Sequence, residues 1–113
     1  MKQIEYQDFE KIEIRVGTII RIDDYPEARK PTYKLWIDLG PEIGEKQSTS
    51  QLTVLYSKED LLGKQVLCVC NFLPRQVGKF LSEVLTLGFY AGDNGEVVIA
   101  QPERTVKNGS RLL

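Results

Sequence analysis

The alternation between Ile12 and Ile22 constrains the fold more than any other stretch of the sequence. Its even positions are apolar or β-branched: Ile12, Ile14, Val16, Thr18, Ile20 and Ile22. A period of two sustained over this length predicts a long strand with one buried face. Gly17 lies at the centre of the run, where a bend or bulge would let one strand serve two sides of a small barrel.

A second alternating segment spans Tyr33–Leu39. Its odd positions are predicted to be buried: Tyr33, Leu35, Ile37 and Leu39. Trp36 is then on the opposite face of the strand. There it would either cover a dimer or ligand surface or form a second apolar layer beneath a loop.

Four more segments have strand character: Glu45–Val54, Gln65–Cys70, Val84–Tyr90 and Glu96–Ala100. Before the second of these, Ser57, Asp60 and Gly63 have the spacing of an N-cap, a third helical position and a stop signal. The order of elements predicts an all-β protein with an OB-fold. This is a five-stranded barrel with a short helix between strands 3 and 4 and an added C-terminal strand, in a single domain over residues 1–113.

Two short segments have weaker patterns. Asp8 can cap a helical turn through Phe9–Lys11, and an irregular lead-in to the first strand is equally consistent with the sequence. Gly40–Gly44 has the composition of a turn. Neither segment changes the predicted order of strands.

The composition excludes several classes of function. Fifteen Lys and Arg residues against sixteen carboxylates give a net charge of −1, which argues against binding nucleic acid through bulk positive charge. The sequence has no histidine, no phosphate-cradling glycine motif and no cluster of metal-ligand residues, so we expect no enzyme, no metal and no cofactor. Cys68 and Cys70 are too far apart along a strand for a disulfide and are predicted to be reduced, buried thiols.

Hydropathy bears on the cellular location. No apolar run approaches the roughly 20 residues that span a bilayer, and the segment Met1–Glu5 is too polar and acidic for a secretory signal peptide. We therefore expect a cytoplasmic protein without membrane insertion.

The chemically mixed segment Asn71–Glu83, between two predicted strands, is the candidate functional loop. Together with the basic segment Pro26–Lys34, whose formal charge is +2, it supplies most of the candidate contacts. The candidate polar contacts to RNA or peptide are Arg29, Lys30, Lys34, Lys46, Asn71, Arg75, Lys79 and Ser82. The candidate apolar contacts are Phe72, Leu73, Phe80 and Leu81.

Each of these residues also has a structural interpretation. Arg75 could form an ion pair with Glu83, Lys79 could be a solvated lysine, and Asn71 and Ser82 could hold the loop through hydrogen bonds. Core or dimer packing is expected to bury at least half of the four large apolar residues. Any that stay exposed would form a patch suited to dimerisation or to apolar peptides.

Several motifs resemble one known family. The residues Asp8-Phe9, Ile14–Gly17, Asn71–Arg75, Gly78 and Ser82 resemble the tRNA-binding domain found at the end of some methionyl-tRNA synthetases and in free-standing relatives. Within that family, Pro26–Pro31, Lys34–Asp38, Gly40–Gly44 and Ser82–Phe89 are similar to the CsaA subgroup, small proteins described as export-related chaperones. The resemblance covers nearly the whole chain.

The resemblance implies a cytoplasmic OB-fold homodimer that binds unfolded or export-competent polypeptides, with structure-specific tRNA binding as the alternative. One departure bears on this choice. The tRNA-binding members follow the motif serine with glycine and methionine, whereas Glu83 and Val84 follow Ser82 here, and a carboxylate opposes an approaching phosphate. The N-terminal segment and the tail Gln101–Leu113 are the expected dimer contacts.

Overall fold

The structure is a computed structural model that describes residues 1–113. Its three helices are short: α1 (Tyr6–Glu10), α2 (Gly40–Ile43) and α3 (Lys58–Leu61). The first four strands are β1 (Ile14–Asp24), β2 (Tyr33–Asp38), β3 (Glu45–Ser50) and β4 (Gln65–Val69). The remaining strands are β5 (Arg75–Val77), β6 (Phe80–Ser82), β7 (Leu85–Thr86), β8 (Gly88–Tyr90) and β9 (Val97–Ile99). No helix is long or apolar enough to cross a membrane.

Five strands form an antiparallel sheet in the order β3-β2-β1-β4-β7, and this sheet curls into a nearly closed barrel. The pairs β5-β6 and β8-β9 are separate two-stranded hairpins. The helix α3 lies between β3 and β4, and β9 is the added C-terminal strand. The predicted OB-fold is therefore confirmed.

β1 is the central strand, and a bulge within it changes which residues are buried. Its register with β2 shifts between Ile19 and Arg21. As a result Ile19 is fully buried while Ile20 is 44% exposed, so the predicted burial of the even positions is wrong at Ile20, whereas Ile22 beyond the bulge is partly buried against the core. The bulge lies at Ile20 rather than at Gly17. Gly17 is instead a point of close packing, because a Cβ there would lie 2.5 Å from Ile37 Cγ2.

The C-terminal tail continues the sheet along the first half of β1. The Val16 amide donates to the Ser110 carbonyl at 3.0 Å, and the Leu112 amide donates to the Ile14 carbonyl at 2.9 Å. The Arg15 guanidinium donates to the Gly109 carbonyl at 2.8 Å. β1 is thus paired on both edges, with β4 on one side and with the tail and β2 on the other.

The core has the composition that β2 predicted. Leu35, Ile37 and Leu39 are completely buried, and Tyr33 is nearly so. Other strands, the helix α3 and two connecting segments contribute the remaining large core residues: Ile19, Leu52, Leu61, Val66, Cys68, Val84 and Ile99. Both cysteines are free, with Cys68 in the core and Cys70 half-buried. Burial raises the pKa of Cys68 to about 12 and also raises the pKa of Cys70.

The predicted α3 is confirmed in detail. The Ser57 hydroxyl accepts from the Asp60 amide at 3.2 Å, and the Asp60 carboxylate accepts from the Ser57 amide at 2.9 Å. This reciprocal pair satisfies two amides that the first helical turn leaves free. Gly63 follows at φ +86°, a conformation that suits glycine at a helix end.

Three local predictions are wrong. Asp8 is not an N-cap, because α1 begins earlier and the Asp8 carboxylate accepts from the Glu5 amide at 3.0 Å. Gly40–Ile43 is one helical turn, since Pro41 suits the first turn of a helix. The predicted strand Val84–Tyr90 is divided into β7 and β8, which pair with β4 and β9 respectively.

The β3–β7 seam is where the barrel closes, and separate hydrogen bonds rather than a ladder close it. The Glu83 and Val84 amides donate to the Gln47 carbonyl at 2.8 Å and 3.2 Å. The buried Ser48 hydroxyl donates to the Val84 carbonyl at 2.9 Å and lies 2.8 Å from the Thr86 hydroxyl. No ladder joins β3 to β7. The two strand edges therefore meet through a few hydrogen bonds of Gln47 and Ser48, and no ladder joins them beyond Ser48 and Thr86.

Candidate ligand-binding groove

The predicted functional loop is mostly a β-hairpin. β5 and β6 pair with Arg75 opposite Ser82 and Val77 opposite Phe80. Gly78 has φ +60°, which a two-residue hairpin turn requires and which glycine adopts without steric cost. The segment Asn71–Glu83, predicted to be a loop between two strands, therefore contains a strand pair in its second half.

Aromatic and cationic side chains pack between the hairpin and the outer face of the sheet. The Phe80 ring lies 5.6 Å from Trp36 and 6.1 Å from Tyr25, both in edge geometry. The Lys34 ammonium lies over Tyr25 at 4.9 Å, and the Arg21 guanidinium lies over Trp36 at 4.2 Å. Trp36 is therefore part of a second layer beneath the hairpin, which was one of the two positions predicted for it.

Tyr25 fixes the tip of the hairpin to the start of the Pro26–Lys34 segment. Its buried hydroxyl donates to the Val77 carbonyl at 2.5 Å. A Cβ at Gly78 would lie 2.5 Å from the Tyr25 hydroxyl oxygen, so this position also needs glycine for space. The cationic segment and the hairpin are thus held as one surface.

Ser82 and Glu83 cap the outer edge of β3. The Ser82 hydroxyl accepts from the Thr49 amide at 3.1 Å, and the Glu83 carboxylate accepts from the Gln47 amide at 3.0 Å. Glu83 also lies 4.0 Å from the Lys46 ammonium. The Arg75–Glu83 ion pair considered from the sequence does not form, since this carboxylate is committed to β3.

Beside the hairpin lies the Arg75 groove, which consists of two adjoining cavities of about 420 Å³ and about 260 Å³. Both cavities are lined by Thr49, Arg75 and Leu85. The larger one extends to Tyr90 and Val97, and the smaller one to Phe72 and Leu73. The larger volume is within the usual range of ligand sites, and the smaller one is just below that range.

The structure separates the eight polar candidates into three groups. Arg75 is exposed, lines both cavities and makes no ion pair. Arg29, Lys30 and Lys79 are exposed outside the groove. The others are engaged within the fold: Lys34 on the aromatic rings, Lys46 beside Glu83, Ser82 on Thr49, and Asn71.

Asn71 joins the start of the candidate loop to the N-terminal segment. Its side-chain carbonyl accepts from the Glu13 amide at 2.9 Å, and its side-chain amide donates to the Lys11 carbonyl at 2.7 Å. Each bond connects residues far apart in the sequence. Asn71 therefore holds the loop through hydrogen bonds, as its structural interpretation from the sequence stated.

The apolar candidates are more exposed than the sequence suggested. Leu73 is 92% exposed and Phe72 is 53% exposed, and both line the smaller cavity. Leu81 is also exposed, and only Phe80 is half-buried, against Trp36 and Tyr25. Within the chain, burial does not account for half of these four residues.

Several groove residues were not singled out from the sequence. Thr49 comes from β3, Leu85 from β7, and Tyr90, which is 96% exposed, from β8. One signal was available for Tyr90. Adjacent aromatic residues in a strand point to opposite faces, so Phe89 and Tyr90 cannot both be in the core.

A second exposed surface is formed where the chain termini meet. A cavity of about 190 Å³ is lined by Tyr6, Phe9, Glu10, Arg111, Leu112 and Leu113. Arg111 donates to the Glu10 carbonyl at 3.0 Å and lies 3.5 Å from the Glu13 carboxylate. The hydrogen bond from Arg15, reinforced by the charge of Arg111, lowers the pKa of Glu13. The N-terminal segment and the tail, both predicted dimer contacts, thus form one surface.

Comparison with known proteins identifies the family. The sequence model of the family described as "Putative tRNA binding domain" matches residues 14–111. The chain belongs to this tRNA-binding domain family. Two solved structures of the family fold are similar over their whole length. They are the chaperone CsaA of Bacillus anthracis str. Ames, at 40% identity and a TM-score of 0.93, and the CsaA chaperone protein of Picrophilus torridus, at 42% and 0.90.

These two matches cover 99% and 98% of this chain and 100% of each CsaA chain. A methionine–tRNA ligase of Methanocaldococcus jannaschii is 36% identical over 112 residues, which are 99% of this chain and 17% of the ligase. The chain therefore spans less than a fifth of the length of the curated relatives that it matches. The predicted resemblance to the tRNA-binding domain family and to CsaA is confirmed.

Proposed function

We propose that the protein is a non-catalytic, homodimeric module that binds unfolded or export-competent polypeptide segments in the cytoplasm, as a chaperone-like protein. The observation that carries this proposal is the pair Phe72 and Leu73, which are exposed and line a cavity beside Arg75. Exposed apolar side chains next to a concave surface suit an apolar peptide. The likeness to two CsaA chaperones supports the same class of ligand.

Titration of a fluorescein-labelled apolar peptide, followed by anisotropy, tests this proposal. Leu73→Ser should weaken binding by about tenfold, because an apolar contact of this size is worth roughly 1–2 kcal/mol. Leu62→Ser is the matched control, since Leu62 is 57% exposed on a surface that does not line the groove. The absence of saturable peptide binding at high micromolar concentration would refute the proposal.

Structure-specific tRNA binding is the second candidate, and the unpaired Arg75 with the exposed Arg29, Lys30 and Lys79 favours it. The tRNA-binding domains of the methionine–tRNA ligases are relatives of the same family. Binding through phosphate contacts should weaken steeply as salt increases. In a gel-shift assay, Arg75→Ala and Lys79→Ala should lower the affinity for tRNA. Equal affinity for tRNA and duplex DNA at low salt would exclude this function.

The proposed homodimer would use the surface at the chain termini. Tyr6 is 69% exposed and Leu113 is fully exposed, and both line the cavity there. Leu112→Asp should shift the mass measured by light scattering from dimer to monomer, because a carboxylate would be buried in the contact. The control is Leu62→Asp. A dimer that persists in Leu112→Asp would place the contact on another surface.

A further inference from the structure

The segment from Thr86 to Tyr90 pairs with β4 and β9 on one side and has no partner strand on the other. The Leu87 amide donates to the Leu67 carbonyl, and the Leu87 carbonyl accepts from the Ala100 amide. The Ala91 amide likewise donates to Glu96. Hydrogen-bonded pairs alternate along an antiparallel ladder, so the main-chain groups of Thr86, Gly88 and Tyr90 point to the opposite side.

That opposite side is the larger cavity of the Arg75 groove. Thr86, Gly88 and Tyr90 all line it, together with Leu85 and Leu87 of the same segment. Across the cavity lie Thr49, Ser50 and Gln51 at the end of β3. The seam closes the barrel only as far as Ser48 and Thr86, and β3 does not pair with the segment beyond. The cavity is therefore bounded on one side by an open strand edge.

The side chains around this edge carry one charge. Arg75 is the only charged residue that lines the larger cavity, and its apolar neighbours there include Val77, Leu85 and Val97. The other walls carry uncharged polar residues such as Thr49 and Gln51, so a single cation beside apolar side chains complements an anionic group with a neighbouring apolar group. Nucleic acid places a phosphate at every nucleotide and is usually bound by several cations together, so the chemistry of the cavity favours a peptide.

We propose that an extended peptide segment with an acidic residue binds in the larger cavity by strand addition. Its main chain pairs with the edge Thr86-Gly88-Tyr90, as extended peptides do at other exposed sheet edges. Its acidic side chain contacts Arg75, and the apolar side chain two residues away, on the same face, contacts Leu85 or Val97. This rests on the proposed peptide-binding function and specifies the mode and the preferred sequence.

Backbone N-methylation of the peptide tests strand addition without changing the protein. Two isomers of a nine-residue peptide of alternating acidic and apolar residues carry N-methyl groups at odd or at even positions. Only alternate amides face the edge, so one isomer should bind at least tenfold more weakly than the unmethylated peptide and the other within threefold. Equal affinities of the two isomers would overturn the proposal.

Exchange of charges tests the contact with Arg75. Arg75→Glu should weaken binding of the acidic peptide at least tenfold. A peptide in which lysine replaces the acidic residues should bind the Arg75→Glu variant. Lys64→Glu is the control, because Lys64 lines a separate cavity with Gln65 and Gln101. Acidic-peptide affinity unchanged by Arg75→Glu would overturn the assignment.

The outcomes distinguish this inference from the function on which it rests. If no peptide binds the unmodified protein, both fail. If peptides bind regardless of N-methylation and of Arg75, the peptide-binding function holds and strand addition fails. If a decauridylate oligonucleotide binds as tightly as the peptide, competes with it and depends equally on Arg75, the groove belongs to RNA and the inference is wrong.

Discussion

The barrel is held together in different ways at the β1–β4 ladder and at the β3–β7 seam. On the first, β1 and β4 pair from Ile14 opposite Val69 to Thr18 opposite Gln65, and the tail covers the free edge of β1. On the second, the Ser48 hydroxyl and the Gln47 carbonyl join the edges, and Ser82 and Glu83 cap the edge of β3. The ladder side supplies a fixed frame. The seam leaves main-chain groups free for a ligand.

The ladder side should tolerate least change. In Gly17→Ala the new Cβ would lie 2.5 Å from Ile37 Cγ2 and 2.9 Å from the Asp38 carbonyl oxygen. We expect the free energy of unfolding, measured by urea denaturation, to fall by about 2–3 kcal/mol. Gly92→Ala is the control, since its Cβ would meet only the end of the Glu96 side chain. If Gly17→Ala lowers the free energy of unfolding by less than about 0.5 kcal/mol, the ladder side tolerates the added methyl group as well as a surface loop does.

The Ser48 hydroxyl should contribute measurably to the stability of the seam. Ser48→Ala leaves the buried Val84 carbonyl and Thr86 hydroxyl without their partner, at an expected cost of about 1–2 kcal/mol. Amide exchange at Val84, whose amide donates to the Gln47 carbonyl across the seam at 3.2 Å, should accelerate more than exchange at Val16. The control is Ser50→Ala on the same strand. Equal acceleration at both amides would show that the two sides open together.

The pH dependence of stability should reflect the thiol of Cys68, on the strand between the two sides. Its pKa is about 12 in the folded protein, against the ordinary value of 9.0. The unfolded chain therefore loses this proton first, so the stabilisation is complete below pH 9 and is lost as the pH rises towards 12. The unfolding free energy should fall by up to about 1.4 kcal/mol per pH unit in this window. In Cys68→Ala the slope should be shallower by that amount, and an unchanged slope would contradict the assignment.

The smallest effect is expected from the charge of Glu83. Glu83→Gln keeps an acceptor for the Gln47 amide and loses only a partly exposed pairing with Lys46 at 4.0 Å. The free energy of unfolding should change by less than about 0.5 kcal/mol. Glu83→Ala removes the cap as well and should cost about 1 kcal/mol. If the two variants are equally destabilised, the charge rather than the cap holds the edge.

Local chemistry made much of the frame predictable from the sequence. The apolar face of Tyr33–Leu39 and the capping residues Ser57 and Asp60 act within one element, so their patterns survive in the fold. The bulge at Ile20 could not be predicted in this way, because it depends on the register of β1 against β2. Alternation within one strand does not show where a bulge inserts an extra residue, because the position of the bulge depends on the pairing with the neighbouring strand.

The candidate site was less predictable than the frame. Pro74-Arg75 marked the one groove cation, because a charged residue in a punctuated segment is visible locally. Thr49, Gly88 and Tyr90 were missed, since the cavity is assembled from strands far apart in the chain. The open edge depends on which main-chain groups are already hydrogen-bonded to other strands, and the sequence does not show this.

The layer beneath the hairpin has an optical consequence. Trp36 is the single tryptophan of the sequence, and it is half-buried between the Phe80 ring at 5.6 Å and the Arg21 guanidinium at 4.2 Å. Its fluorescence emission is therefore a native reporter of hairpin position. Lifting of β5-β6 would admit water to the indole and move the emission to longer wavelength, while a ligand that fills the groove over a fixed hairpin would leave the wavelength unchanged.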